Sequence, residues 1–252
     1  MVPLFKSHYS IGKSILTLDD PKKTVENGSD SIIKIAKDAE LKNVVLVEDC
    51  LTGFFEALKR TQEQKLALIF GLRLSMRNSA LPDDEKSEHK IVIFAKNAEG
   101  CKLLNKIYSK AFTEYNGYLD YPELKKLWNE KDLRMCVPFY DSFVYVNLLN
   151  FGNCVPDFSF CAPSFLIERN NVSFDALLET AVNEYVAPHS YKTVLAKSIY
   201  YKLKKDIKAF QTYKIICNRT IGKERTLDKP ELPHFCSDEF CFESWKEEAA
   251  RE

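Results

Sequence analysis

NVVLVEDCLTGFFEALKRTQEQKLALIFGLRLSM (residues 43–76) changes period twice within 34 residues. NVVLVED (43–49) is a short β-branched run that ends in charge, as a strand buried on both faces does. GFFEALKRTQEQ (53–64) has helical spacing, and LALIFGLRLSM (66–76) is strand-like again. Strand, helix and strand within so short a span predict a βαβ unit, whose two strands lie parallel.

The same alternation continues on both sides. SDSIIKIAKDAEL (29–41) has apolar residues at helical spacing, with Ser29 or Asp30 as its cap. RNSALPDDEKSEHK (77–90) is a polar loop. KIVIFAKN (90–97) follows as a strand, then helices over 98–112 and 121–131. MCVPFYD (135–141), PSFLIERN (163–170) and YKTVLAKS (191–198) are strand-like. Residues 146–163 begin helical and continue as loop, 172–186 form a helix capped by Ser173, and 203–217 an amphipathic helix. Six or seven strands interleaved with helices over about 220 residues predict an α/β fold with parallel strands and outer helices, either a barrel or a doubly wound sheet. Chemistry in such folds sits where strands end. The polar residues at those ends are Lys6, Ser7 and His8; Glu48 and Asp49; Arg73; Asp141; Glu168; Lys197 and Ser198.

The 252 residues are 45% hydrophobic, enough for a sizeable core, and no apolar run is long enough to span a bilayer. With no membrane segment and no signal peptide read in the sequence, the expectation is a cytoplasmic protein. Lys plus Arg (36) equals Asp plus Glu (36), so nucleic acid has only local patches to bind. The eight cysteines form no CxxC pair and no zinc spacing, and read as buried free thiols. After Arg219 periodicity fades, dividing the chain into a domain over 1–220 and a tail or connector over 221–252. Phe235, Phe240, Phe242 and Trp245 make that tail a docking segment for a partner.

Several stretches resemble, in order, the polymerase-and-histidinol-phosphatase (PHP) family. LFKSHYS (4–10) is similar to its first motif, LVEDCLTGFFEALK (46–59) to the second and LIFGLRLSM (68–76) to the third. HKIVIFAKNAEGCKLLNKIYSKAF (89–112) resembles the PHP domain at the N-terminus of the bacterial DNA polymerase III alpha subunit. LAKSIYYKLKKDIKAFQTYKIICNRT (195–220) is similar to its later stretch, in wording close to phage-encoded relatives. The resemblance implies a distorted (βα)7 barrel that hydrolyses phosphate esters with divalent metals. Carried over residue by residue, the ligand motifs are degenerate: first-motif histidines fall at Leu4 and Lys6, the third-motif Glu at Arg73, and the last Asp-x-His near Ser198 and Tyr200.

Protonated Lys and Arg have no lone pair for a metal and bring positive charge to its place. Lys6 and Arg73 facing Glu48 and Asp49 make a cluster balanced without metal, so the vestigial site comprises Lys6, His8, Glu48, Asp49, Arg73, Asp141, Glu168 and Ser198. His8 is a base only beside a metal or nucleophile. Two further readings use the same residues. Lys6, Arg73, Lys197, Tyr200 and Tyr201 suit phosphate or single-stranded DNA. Glu48 and Asp49, with Asp141 and Glu168, suit a metal-dependent phosphoesterase or 3′–5′ nuclease using Mn2+, Zn2+ or Mg2+. The leading expectation is a cofactor-free, non-catalytic module that docks to a DNA polymerase or other replication protein.

Overall fold

The computed structural model describes residues 1–25, 28–79, 84–217 and 237–251. In chain order these form β1 (Val2–Phe5), α1 (Ile32–Asp38), β2 (Asn43–Glu48), α2 (Phe54–Glu63), β3 (Ala67–Met76) and β4 (His89–Ala95). Then come α3 (Ala98–Glu114), β5 (Tyr118–Leu119), α4 (Tyr121–Leu127), β6 (Leu133–Val137), α5 (Phe143–Leu149) and β7 (Ser164–Ile167). The chain continues with α6 (Asp175–Val186), β8 (Lys192–Ile199), α7 (Ile207–Cys217) and α8 (Phe242–Ala249). No helix among the described residues is long and apolar enough to cross a membrane.

The strands pair in the cycle β1–β2–β3–β4–β6–β7–β8–β1, which closes a seven-stranded barrel, and β5 adds two residues outside β3. All pairs in the ring are parallel except the two made by β4, which runs antiparallel to both β3 and β6. The barrel is therefore mixed, not the all-parallel ring expected. The described residues of the connection over 77–88 hold only one short 3-10 turn, Glu85–Ser87, between β3 and β4. A parallel crossover needs a dozen or more residues and usually a helix, whereas a plain loop returns the chain antiparallel.

Strand alternation divides the apolar residues into two layers. Leu4, Val45, Val47, Val92, Phe94, Cys136, Leu166 and Ala196 fill the barrel interior. Phe5, Leu46, Phe70, Leu72, Ile93, Met135, Phe165 and Ile199 point outward into the core shared with the helices. Gly71 makes room in the inner layer, because a Cβ there would stand 2.6 Å from the ring of Phe94, its partner on the adjacent strand β4.

Local signals hold with small changes. The cap of α1 is Ser31, whose Oγ accepts from the Lys34 amide, not Ser29 or Asp30. At α6 the expected Ser173 cap is absent; Asp175 instead accepts from the Asn170 and Val172 amides at 2.8 and 3.1 Å.

The larger difference is at the C-terminus. Residues 237–251 are not an unpacked tail: Phe240 and Cys241 are fully buried and Phe242 nearly so. Cys241 bridges Tyr201 in parallel, Phe242 stacks on Phe5, and Trp245 donates to the Met1 carbonyl. Phe240, Phe242 and Trp245 thus extend the outer core and are not displayed for a partner. Phe235, Cys236 and Arg219 lie outside the described residues.

Candidate functional site

β1, β2, β3, β7 and β8 all end at one mouth of the barrel, and each contributes a polar residue there. On β1 the inward series Val2, Leu4 continues to Lys6, only 4% exposed. Lys6 Nζ donates to Asp49 Oδ1 at 3.0 Å. Arg73 extends the inward series of β3, directly across from Val92. Its Nη1 lies 3.8 Å from the same Asp49 oxygen, and its Nη2 donates to Asp141 Oδ2. Lys90, opposite Ser75 on the β3–β4 ladder, donates to the Ser75 hydroxyl and pairs with Glu88 at 3.6 Å. Lys6, Arg73 and Asp49 with Asp141 therefore form one connected ion network at the mouth.

Electrostatics follow from burial and these partners. Burial alone would raise the Asp49 carboxyl, but Lys6 and Arg73 outweigh it and hold it well below the usual range. Burial lowers Lys6, and Arg73 adds to that against the opposing pull of Asp49. Arg73 is raised, because Asp141 and Asp49 overcome the cost of its burial. At 3.0 Å and an effective dielectric of ~20, the Lys6–Asp49 attraction is roughly 5 kcal/mol. Removing both charges from water costs several kcal/mol per ion, so the pair comes close to break-even and serves chiefly to fix geometry.

Glu48 does not join this network. It is adjacent to Asp49 at the end of β2, so alternation sends it the other way. It accepts from the Ser7 amide at 2.8 Å and from the Ser10 hydroxyl, while Ser10 Oγ accepts from the Asp49 amide at 2.9 Å. Burial raises the Glu48 carboxyl. Its task is to shape the loop after β1. In the ion pairs, the place expected for Glu48 beside Lys6 and Arg73 is taken by Asp49 and Asp141, while Glu48 acts on Lys6 only as a nearby charge. Among the described residues no group of three His, Cys, Asp or Glu side chains is disposed to hold a metal.

The remaining residues divide between the mouth and elsewhere. Glu168 is buried at the end of β7, accepting from the Ser198 amide at 2.8 Å, the Ser198 hydroxyl at 2.9 Å and Asn170 Nδ2 at 3.2 Å. Burial outweighs these bonds and raises its carboxyl. Tyr200 lies between the rings of Phe210 and Phe240, with centroids 5.6 and 5.5 Å away. Lys6, Arg73, Tyr140, Glu168, Ser198 and Tyr200 line a cavity of about 40 Å³. That is room for a few waters or one very small organic molecule, and too little for a nucleotide.

Lys197 and Tyr201 are not at this cavity. Ala196 and Ser198 take the inward positions of β8, which leaves Lys197 outside, 2% exposed, donating to the Arg169 carbonyl and Glu248 Oε2, both at 2.9 Å. Lys197 anchors α8. Tyr201 is fully buried against Phe210. Neither is available to phosphate or DNA. His8 packs against Tyr9 with centroids 4.4 Å apart and rings tilted by 33°, and its Nδ1 is buried without a hydrogen bond. It touches no carboxylate of the network.

Residues missed from the sequence are Lys90, Ser75 and the Tyr140–Asp175–Asn170 set. Tyr140 donates to Asp175 Oδ1 at 2.8 Å and accepts from Asn170 Nδ2 at 3.2 Å. Lys90 and Ser75 were legible only as a cross-strand pair, which requires knowing that β4 is antiparallel. Asp141 has φ +59°, a left-handed conformation that Asp tolerates better than most residues. Its carbonyl accepts from the Lys90 amide at 2.7 Å. No family model matches this chain, and no curated protein matches it.

Proposed function

We propose that this barrel works by binding and not by metal-dependent hydrolysis, with Lys6 and Arg73 standing where a dication would otherwise balance the carboxylates. The observation that carries this reading is the convergence of both cations on Asp49, with Arg73 reaching on to Asp141. A nuclease or phosphoesterase built on Glu48, Asp49, Asp141 and Glu168 needs those carboxylates to share an ion. Glu48 is engaged by Ser7 and Ser10, Asp141 by Arg73, and Glu168 by Ser198 and Asn170. The resemblance to the polymerase-associated PHP domain makes a replication protein the partner to try first, and nucleic acid is the weaker choice because Lys197 and Tyr201 are buried.

Elemental analysis of tag-free protein, followed by melting scans with Mn2+, Zn2+, EDTA and inorganic phosphate, tests the reading. It predicts no stoichiometric metal and no shift with metal or chelator. A melting temperature that falls in EDTA, or rises with Mn2+ at low concentration, overturns it. A rise with inorganic phosphate alone identifies the mouth as a phosphate sensor, with Arg73 exchanging Asp141 for the ligand.

A further inference from the structure

A second and much larger cavity, of about 800 Å³, lies outside the barrel between the start of α1 and the chain that follows β8. It shares no lining residue with the cavity at the mouth. Lys34 enters it from the first turn of α1, and Lys202 and Lys205 from the segment between β8 and α7. Ile15, Leu203 and Ala209 add apolar surface. Two carboxylates also line it, and both are engaged: Asp30 accepts from Lys202 Nζ at 3.1 Å, and Asp206 accepts from the Leu203 amide at 2.9 Å. Lys34 and Lys205 are exposed and make no ion pair among the described residues. The cleft therefore presents ammonium groups that the chain itself does not neutralise, beside surface that water solvates poorly. Lysine ammonium groups of this kind hold phosphate oxygens as point charges. The volume is that of a site for a nucleotide-sized molecule.

We propose that this cleft binds a nucleoside triphosphate, with the phosphate chain on Lys34, Lys202 and Lys205 and the nucleoside against Ile15, Leu203 and Ala209. Lys202 need not release Asp30 to do so, because an ammonium has three donors. The Asp30 pair instead holds Lys202 in place for the ligand. Single-stranded DNA offers the same phosphate chemistry but spreads its charge along a chain. Three lysines around one concave site suit charge gathered at one end of a small molecule. The site is separate from the barrel mouth, on which the proposed function rests, so either can fail without the other.

The test is calorimetric titration of the full chain at low salt with ATP, inorganic tripolyphosphate and oligothymidylate, with EDTA present so that metal plays no part. ATP is predicted to bind with a Kd below about 1 mM, and tripolyphosphate about tenfold more weakly because it leaves the apolar surface uncovered. Lys34→Glu and Lys205→Glu are each predicted to weaken ATP binding by about tenfold. Both side chains are exposed, so both variants should melt with wild type, and any stabilisation by inorganic phosphate at the mouth should survive in them. A Kd for ATP weaker than about 1 mM overturns the proposal, and this readout needs no variant. ATP binding undiminished in both variants puts the nucleotide elsewhere and overturns it as well. Equal affinity for ATP and tripolyphosphate overturns the placing of the nucleoside. Oligothymidylate binding tighter than ATP, and lost in the two variants, overturns it in favour of nucleic acid.

Discussion

Asp49 is the shared partner of Lys6 and Arg73, so Asp49→Asn is the most informative single substitution. The variant keeps the shape of the side chain and removes its charge. Lys6 is then left with an ammonium only 4% exposed and no carboxylate within hydrogen-bond reach. Breaking a buried pair by removing one partner costs about 3–5 kcal/mol. Here the Asp49 side chain is 32% exposed and Arg73 keeps Asp141, so the loss falls just below that range, about 2–3 kcal/mol. For a chain of this size that is a fall in melting temperature of roughly 4–12 °C. The pH dependence has a definite sign. The folded-state pKa of Asp49 lies below its unfolded value, so its contribution is present above the unfolded pKa and is lost as pH falls through it toward the folded one. The gap between wild type and Asp49→Asn should hold constant at neutral pH and narrow below about pH 4. Adding Lys6→Met to Asp49→Asn removes the stranded charge and should restore part of the loss. Calorimetry of the four proteins from pH 3 to 8 reads all of this. A loss under 1 kcal/mol for Asp49→Asn, with no recovery in the double variant, would refute the ion-network account.

Three further outcomes follow from other parts of the molecule. His89 is buried, its Nδ1 donating to the Ser87 carbonyl and its Nε2 accepting from the Tyr121 hydroxyl, both at 2.8 Å, and burial pushes its pKa down to about 4. The neutral form is the folded one, so stability is lost as pH drops from about 6.5 toward 4, by about 2 kcal/mol between pH 6.5 and 5; denaturant unfolding of wild type and His89→Gln should show that slope only in wild type. Phe240 is fully buried beside Tyr140 and Tyr200, so Phe240→Ala should cost about 3–5 kcal/mol in chemical unfolding, whereas a detachable tail would leave the midpoint in place. Phe151 is 91% exposed with φ +52°, and Phe151→Gly should stabilise by up to about 1 kcal/mol through relief of the left-handed conformation; destabilisation would show that its ring packs on something.

The strands and most helices were legible because their periods are clean and their ends carry capping or turn residues. Lys6, Arg73, Asp49, Asp141, Glu168 and Ser198 come together because polar residues that end parallel strands meet at one barrel mouth. Whether Glu48 or Asp49 faced inward was not legible, since a one-residue change of phase exchanges the two faces. The same ambiguity separates Ser198, at the mouth, from Lys197, beneath α8. The reversal of β4 left a trace in the polar, aperiodic sequence of residues 77–88, which carries no helical spacing. The docking of residues 237–251 left none, because a parallel bridge between Tyr201 and Cys241 is a contact across 40 positions and α8 has only eight residues.

The central claim is that side-chain cations occupy the place of a metal, and the most direct measurement is a crystal structure grown with Mn2+ and Zn2+, with anomalous maps at both absorption edges. The account predicts no anomalous peak at the barrel mouth and Lys6 Nζ within hydrogen-bond distance of Asp49. A peak there, coordinated by Asp49 together with Asp141 or Glu168 and with Lys6 swung aside, would contradict it.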